Sequence, residues 1–450
     1  MRKVLLLLLL ALPVSAADPE LKFEKYTLKN GLTVLLSEDH RLPQVAVDIW
    51  YHVGAANQTP GRSGFAHLFE HMMFSGSKHV QPSPIAALEK IGGSQFNGTT
   101  NWDRTNYFEV VPSSELPAAL WIESDRMGYL LDTLDDQKLK IQRDVVSNEK
   151  RQNTENRPYG MAQQRLCDLL FPKPHPYYEC VIGDIADVQA AQPEDVRNFF
   201  RQFYGPQNAS LAVVGDFDSK VAKDQIEKYF GSIPRGPDVK QPEVPQDPIK
   251  GVVQETYNDP LAELPRLILA WKGVKQFTDD EPAGDILGEV LGSGRTSRLY
   301  KALVFDKQLA GGVSANDNTL AIAGWFQITA TAAKGKEISD LLPVIEAIVK
   351  DVQENGVTAA EVDRAKRNIE AGRMRELERI GGFGGRADLL NTYQTFLGDP
   401  GYLPRDLARY RAVTPAAVQA FAKKYLVPDH RIELDVVPAK KTAQAEGAVK

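Results

Sequence analysis

The feature that most constrains this chain is that it is written twice. Leu42-Pro43-Gln44-Val45-Ala46-Val47 is echoed 222 positions later by Leu264-Pro265-Arg266-Leu267-Ile268-Leu269. The same offset carries Pro193, Val196, Phe199 and Pro206 onto Pro415, Val418, Phe421 and Pro428. Self-similarity at a fixed spacing means that one structural unit has been duplicated. Between the copies, Arg235 to Gly251 holds Pro237, Pro242, Pro245 and Pro248 among charged residues, a composition that stays extended and solvated. The expected organisation is therefore an N-terminal domain over 17–236, a linker over 237–250 and a homologous C-terminal domain over 251–450.

Each copy mixes two periodicities. Runs such as Leu32-Thr33-Val34-Leu35-Leu36 and Leu211-Ala212-Val213-Val214 read as strands. Leu341, Val344, Ile345, Ile348, Val349 and Val352 recur at three- and four-residue spacing, as on the buried face of a helix. Pro343 fits such a helix only in its first turn. The fold class that follows is α+β: two homologous domains, each a mainly antiparallel sheet with helices packed on one face.

The first residues differ from the rest. Arg2 and Lys3 precede an apolar run from Val4 to Leu12 and then Pro13-Val14-Ser15-Ala16-Ala17, the pattern of a secretory signal peptide cut after Ala16 or Ala17. Loss of Arg2 and Lys3 takes the net charge from -6 to -8 (-6 - 2), and no basic stripe remains, so nucleic acid is not an expected partner. No later apolar stretch is long enough to span a membrane, and a periplasmic or secreted location is expected. The two cysteines, Cys167 and Cys180, could pair in such an oxidising compartment or stay as small buried hydrophobes; sequence leaves both open.

The chemistry concentrates in His67-Leu68-Phe69-Glu70-His71. On a helix the two histidines, four apart, share one face, where both imidazoles reach a single Zn²⁺. Glu70 borders that face and can reach a water on the metal without being a ligand, as a general base must. The order is that of the inverse zinc motif H-x-x-E-H. Gly292-Ser293-Gly294-Arg295 and Gly381-Gly382-Phe383-Gly384-Gly385 lack the ending of a phosphate loop and read as turns or hinges.

With these residues the chain resembles the pitrilysin/insulinase family of zinc peptidases, which includes the mitochondrial processing peptidases. The resemblance covers nearly the whole mature chain. It extends from the His67 motif through Gly92-Gly93, Tyr107, Arg143-Asp144-Val145-Val146-Ser147-Asn148-Glu149, His175-Pro176-Tyr177 and Val213-Val214-Gly215-Asp216. It implies a processing-peptidase-like metallohydrolase fold and one Zn²⁺ per chain. The third ligand it implies is Glu149, at the end of the Arg-x-Val-Val-x-x-Glu pattern. Many relatives carry a second glutamate seven residues earlier; here Gln142 stands there, able to hydrogen-bond behind the ligands but uncharged. Asn97, Gly98 and Thr99 match the family's edge strand, along which an extended peptide adds as another strand. The glycine-rich segment Gly381–Gly385 is a weaker candidate for substrate contact.

The resemblance also marks an absence. Relatives carry an Arg and a Tyr seven apart that hold substrate across the chamber, and Val304 and Gly311 stand at those positions. Neither offers a side-chain hydrogen bond. The implied arrangement is a heterodimer with a homologous chain that supplies the Arg and Tyr; a homodimer or monomer is the alternative. The expected activity is zinc-dependent endopeptide hydrolysis of unfolded peptides, or processing of one precursor after export. The competing reading is a catalytically weak scaffold or assembly subunit. The intact set His67, Glu70, His71 and Glu149 argues against it, while Gln142 favours it slightly.

Overall fold

The computed structural model describes residues 19–439 apart from Glu179 and Gln246. The expected signal segment, 1–16, lies outside the described residues.

The β-branched and apolar runs form two sheets. The first contains β1 (Glu24–Thr27), β2 (Thr33–Glu38), β3 (Gln44–Tyr51), β4 (Ser94–Thr100), β5 (Thr105–Pro112) and β6 (Ala209–Gly215), in the order β1-β2-β6-β3-β5-β4. The second contains β7 (Val252–Asp259), β8 (Arg266–Lys272), β9 (Ala310–Thr319), β10 (Gly324–Ala332) and β11 (Arg431–Pro438), in the order β7-β11-β8-β10-β9. Without β1, the two orders are the same. Each sheet has one parallel pair, β2 with β6 and β7 with β11, and is otherwise antiparallel. The 222-residue echo thus has a structural counterpart: β3 and β8 start 222 positions apart, as do β6 and β11 and the helices Pro193–Phe203 and Pro415–Tyr425.

Each sheet packs its own helices on one face. Val45, Val47 and Ile49 of β3 meet Leu68, Phe69, Leu120 and Phe200, while Leu267, Leu269 and Trp271 of β8 meet Leu287, Ile345 and Phe421. The opposite faces are covered by exchange between the halves. Leu35, Ala46, Val110, Ala212 and Val214 of the first sheet pack against Leu389, Leu390, Tyr393 and Leu407 from the second half. Ile268, Ala270, Trp325 and Leu434 of the second sheet pack against Ala162, Leu166 and Leu170 from the first. The seam is hydrogen-bonded as well as apolar: Ser210 Oγ donates to Asn391 Oδ1 at 2.7 Å, and Asn391 Nδ2 donates to the Asp48 carbonyl at 2.9 Å.

Two local points refine the sequence reading. Cys167 and Cys180 form a disulfide, with Cα atoms 5.9 Å apart, which closes the Phe171–Pro174 turn. The helix carrying Pro343 runs Ile338–Asn355, so the proline lies in the second turn rather than the first. The cap accounts for the earlier start, because the Glu337 N–H donates to Asp340 Oδ2 at 2.9 Å.

Candidate metal centre

The helix Phe65–Met72 supplies the two histidines. Phe65, Leu68, Phe69 and Met72 follow the spacing of one helical face and are buried in the first core. Phe69 is the anchor, 4.3 Å from the Tyr204 ring and 5.6 Å from Phe200, centroid to centroid. Burial of that face turns His67, Glu70 and His71 to the adjoining one. The helix begins at Gly64 in the left-handed region, φ 78°, where a Cβ would lie 2.7 Å from the Ile182 carbonyl oxygen. Only glycine serves there.

Glu149 comes from the helix Asp136–Lys150, which Asp135 caps by accepting the Lys138 N–H at 2.7 Å. Its last residue ties the two helices to one loop: Lys150 Nζ donates to the Gly183 carbonyl at 2.5 Å, and Gly183 packs against Gly64.

The structure brings the three expected ligands together. His67 Nε2 and His71 Nε2 are 3.3 Å apart, and Glu149 Oε2 lies 3.6 Å from the first and 3.2 Å from the second. Bonds of 2.0–2.1 Å to a tetrahedral zinc place ligand atoms about 3.3 Å from one another, so the triangle has the size the ion requires. Two imidazoles and one carboxylate, with a fourth position left over, form the donor set of a catalytic rather than a structural zinc. Among the described residues this is the one cluster of three His, Cys, Asp or Glu side chains with that convergence.

The protonation states suit the same purpose. Burial, and then the neighbouring His71, push His67 down to about 4, so its imidazole is neutral. The hydrogen bond from His71, acting against burial, holds Glu149 below the ordinary carboxylate range. Burial raises Glu70, while the Thr100 hydroxyl bonded to it acts in the opposite direction. Glu70 stands outside the ligand triangle, and its Oε2 accepts from Thr100 Oγ1 at 2.6 Å.

The strand beside the helix is β4, an edge strand that among the described residues pairs with β5 alone. Gly98 passes directly over Glu70: a Cβ there would lie 2.9 Å from the Phe74 ring and 3.1 Å from Glu70 Cγ. Asn97 is exposed, and its Oδ1 accepts the Gly98 N–H at 2.9 Å. The Thr99 side chain turns to the other face, donating to Asn106 Oδ1 at 2.5 Å and accepting from Arg104. Sequence reasoning missed Thr100 and Arg104. Strand alternation held the signal for Thr100, since residue 100 shares a face with Gly98.

The remaining candidates lie apart from this cluster. Gln142 is half-buried, two turns before Glu149 on the same helix. Val304 packs against the second core, and Gly311 is exposed at the start of β9. The Gly381–Gly385 segment rests on the first sheet, with Gly381 against Ala46 and Val110 and the Phe383 ring 5.0 Å from Phe108. In the second repeat, Glu289, Gly292 and Ser293 occupy the places of His67, Glu70 and His71. They line a cavity of about 370 Å³ together with Asp285 and Asp317.

The chain matches the family model described as Insulinase (Peptidase family M16) over residues 33–171, and the one described as Peptidase M16 inactive domain over 190–369. It is 30% identical over 363 residues to a Helicobacter pylori protein named Zinc protease PqqE, spanning 79% of this chain and 80% of that one. A Bacillus subtilis protein named Uncharacterized zinc protease YmxG is 24% identical over 415 residues, 91% of this chain and 97% of that one. Among solved structures, a protease from Helicobacter pylori superposes with a TM-score of 0.86 at 26% identity, covering 93% of this chain and all of that one (100%). The periplasmic protease PqqL from Escherichia coli superposes with a TM-score of 0.76 at 19% identity, covering 94% of this chain but 48% of that one.

Proposed function

Because the chain belongs to the insulinase family of zinc peptidases, peptidase family M16, we propose that it is a zinc-dependent endopeptidase acting on unfolded peptides. The observation that carries this reading is the ligand triangle of His67, His71 and Glu149 with Glu70 beside it but outside it. A zinc ion held there would polarise the scissile carbonyl and acidify the attacking water. Glu70 takes the proton of that water and passes it to the leaving amine, a task matched to a carboxyl raised by burial. The open edge of β4, with Asn97, Gly98 and Thr99, receives the peptide backbone as an added strand. That mode holds substrate with little regard to side-chain sequence. Gln142, two turns before Glu149 on the ligand helix, offers hydrogen bonding without charge where many relatives carry a glutamate.

Among the described residues the second repeat offers no comparable set of metal ligands, and the matching family description for 190–369 is of an inactive domain. Val304 and Gly311 leave the chain without the Arg and Tyr that relatives use to grip substrate. We therefore assign it a homologous partner chain that brings them. The Escherichia coli protein in which a chain of this length accounts for 48% supports a two-halves arrangement. No helix among the described residues is long and apolar enough to cross a membrane, and action after export to the periplasm or outside the cell is part of the proposal.

The test is Glu70→Gln. It should leave about one zinc per chain in place and lower peptide turnover by at least about 10²-fold, the scale of losing a general base. Wild-type turnover in this variant would refute the mechanism.

A further inference from the structure

A general base on a flexible side chain must be held in one rotamer, and nothing on the Phe65–Met72 helix does this for Glu70. Among the described residues, the hydrogen-bond partner of its carboxylate is the Thr100 hydroxyl, 2.6 Å from Oε2, at the end of the edge strand. Thr105 Oγ1 lies 3.3 Å from Thr100 Oγ1 but spends its single proton on the Val53 carbonyl, 2.9 Å away. An ionised carboxylate has no proton to give, so Thr100 is the donor and Glu70, the nearer partner at 2.6 Å, the acceptor.

We propose that Thr100 is a positioning residue for the peptidase reaction, orienting Glu70 from the same strand to which substrate adds. The inference rests on the function proposed above. With Oε2 filled by the threonine donor, Oε1 is the oxygen left to take the proton of the water, and it also carries the proton to the leaving amine. The strand that presents Thr100 is itself fixed from behind. Half-buried Arg104 donates from Nη1 to the Thr99 carbonyl at 2.9 Å and to Asn106 Oδ1 at 3.2 Å, stacking its guanidinium 4.9 Å from the Trp50 ring centre. Asn106 Nδ2 in turn donates to buried Asp48 at 3.2 Å. Alternation does the rest: Thr99 is clamped on one face of β4, and Thr100 reaches the base on the other. Binding of a peptide along β4 and alignment of the base therefore depend on one short segment.

The test compares wild type with Thr100→Val, which keeps the shape and removes the donor, and Thr100→Ser, which restores it. Full-length protein is loaded with zinc, kcat and KM are measured on an unfolded peptide, zinc content is determined, and crystal structures of all three give the Glu70 rotamer. In Thr100→Val, kcat should fall about ten-fold or more, the scale of one hydrogen bond to a charged group. KM and zinc content should stay within about two-fold, since neither ligands nor edge backbone change. Thr100→Ser should return kcat toward wild type, and Glu70 should be displaced in the valine variant alone. Undiminished kcat with Glu70 in place would overturn the assignment. So would a loss accompanied by loss of zinc, or one that serine does not restore. A wild-type protein that holds zinc but cleaves no peptide, alone or with its partner, would count against the proposed function instead; the rotamer comparison would still decide the role of Thr100.

Discussion

The second repeat carries a carboxyl in a place where no carboxylate should ionise, and replacing it gives a prediction with a definite sign. Among the described residues both oxygens of Asp317 are buried without a hydrogen-bond partner, in the cavity that corresponds to the candidate metal centre. Burial first, and then the charges of Asp285 and Glu281, push Asp317 from 3.8 up to about 9. Asp285, buried beside it, is pushed up to about 7 despite the hydrogen bond from Tyr410. A carboxyl with a raised folded-state pKa binds a proton in the native protein that the unfolded chain has already released. Stability therefore falls as pH climbs from about 4 to about 9, by up to about 1.4 kcal/mol per pH unit. Asp317→Asn keeps the shape and removes the titration. The variant should match wild type near pH 4.5 and exceed it by on the order of 3 kcal/mol at pH 7, the slope above taken over two and a half units. Urea unfolding of both proteins in the presence of a chelator, at several pH values between 4.5 and 8, measures the difference with zinc linkage removed. A difference that stays flat across that range, or that grows toward acid, would refute the reasoning.

Three further outcomes are expected. His67→Ala, His71→Ala and Glu149→Ala should each lose the metal, so elemental analysis should read about one zinc in wild type and well under half of that in the variants; stoichiometric zinc in any of them would remove that residue from the ligand set. Replacing both Cys167 and Cys180 by serine should lower unfolding free energy by about 3 kcal/mol, the loop-closure value for a cross-link of this span, and a loss below about 0.5 kcal/mol would mean that the turn is already ordered without it. Peptide turnover should rise when a homologous chain bearing the substrate-binding Arg and Tyr is added, with the two co-eluting on size exclusion; turnover of the isolated chain that the homologue does not alter would rule out the partnership.

What could be read from the sequence follows the distance over which each feature is specified. The histidine pair and Glu70 were legible because one helical turn sets their relation. Glu149 lies 78 residues beyond His71, and its candidacy as a ligand came only from the resemblance, since nothing local separates it from Asp144 on the same helix. The duplication was legible because it is a pattern of sequence, and the shared strand order is its consequence. The exchange of helices was not. Ala162, Leu166 and Leu170 announce a buried face, yet periodicity names no partner, and the partner is the sheet of the other repeat. The converse contact matters more for the site. Leu35, Ala46, Val110, Ala212 and Val214 form the back of the sheet that carries the edge strand and stands behind the histidine helix, and Leu389, Leu390 and Tyr393 from beyond the linker cover them. Asn391 completes the seam by bonding both Ser210 and the Asp48 carbonyl. A repeat cut at residue 236 would hold every expected ligand and every strand of its sheet while exposing that apolar face to water, at a cost of roughly 25 cal/mol for each Å² uncovered. The candidate metal centre is therefore built by one repeat in sequence and by both in energy.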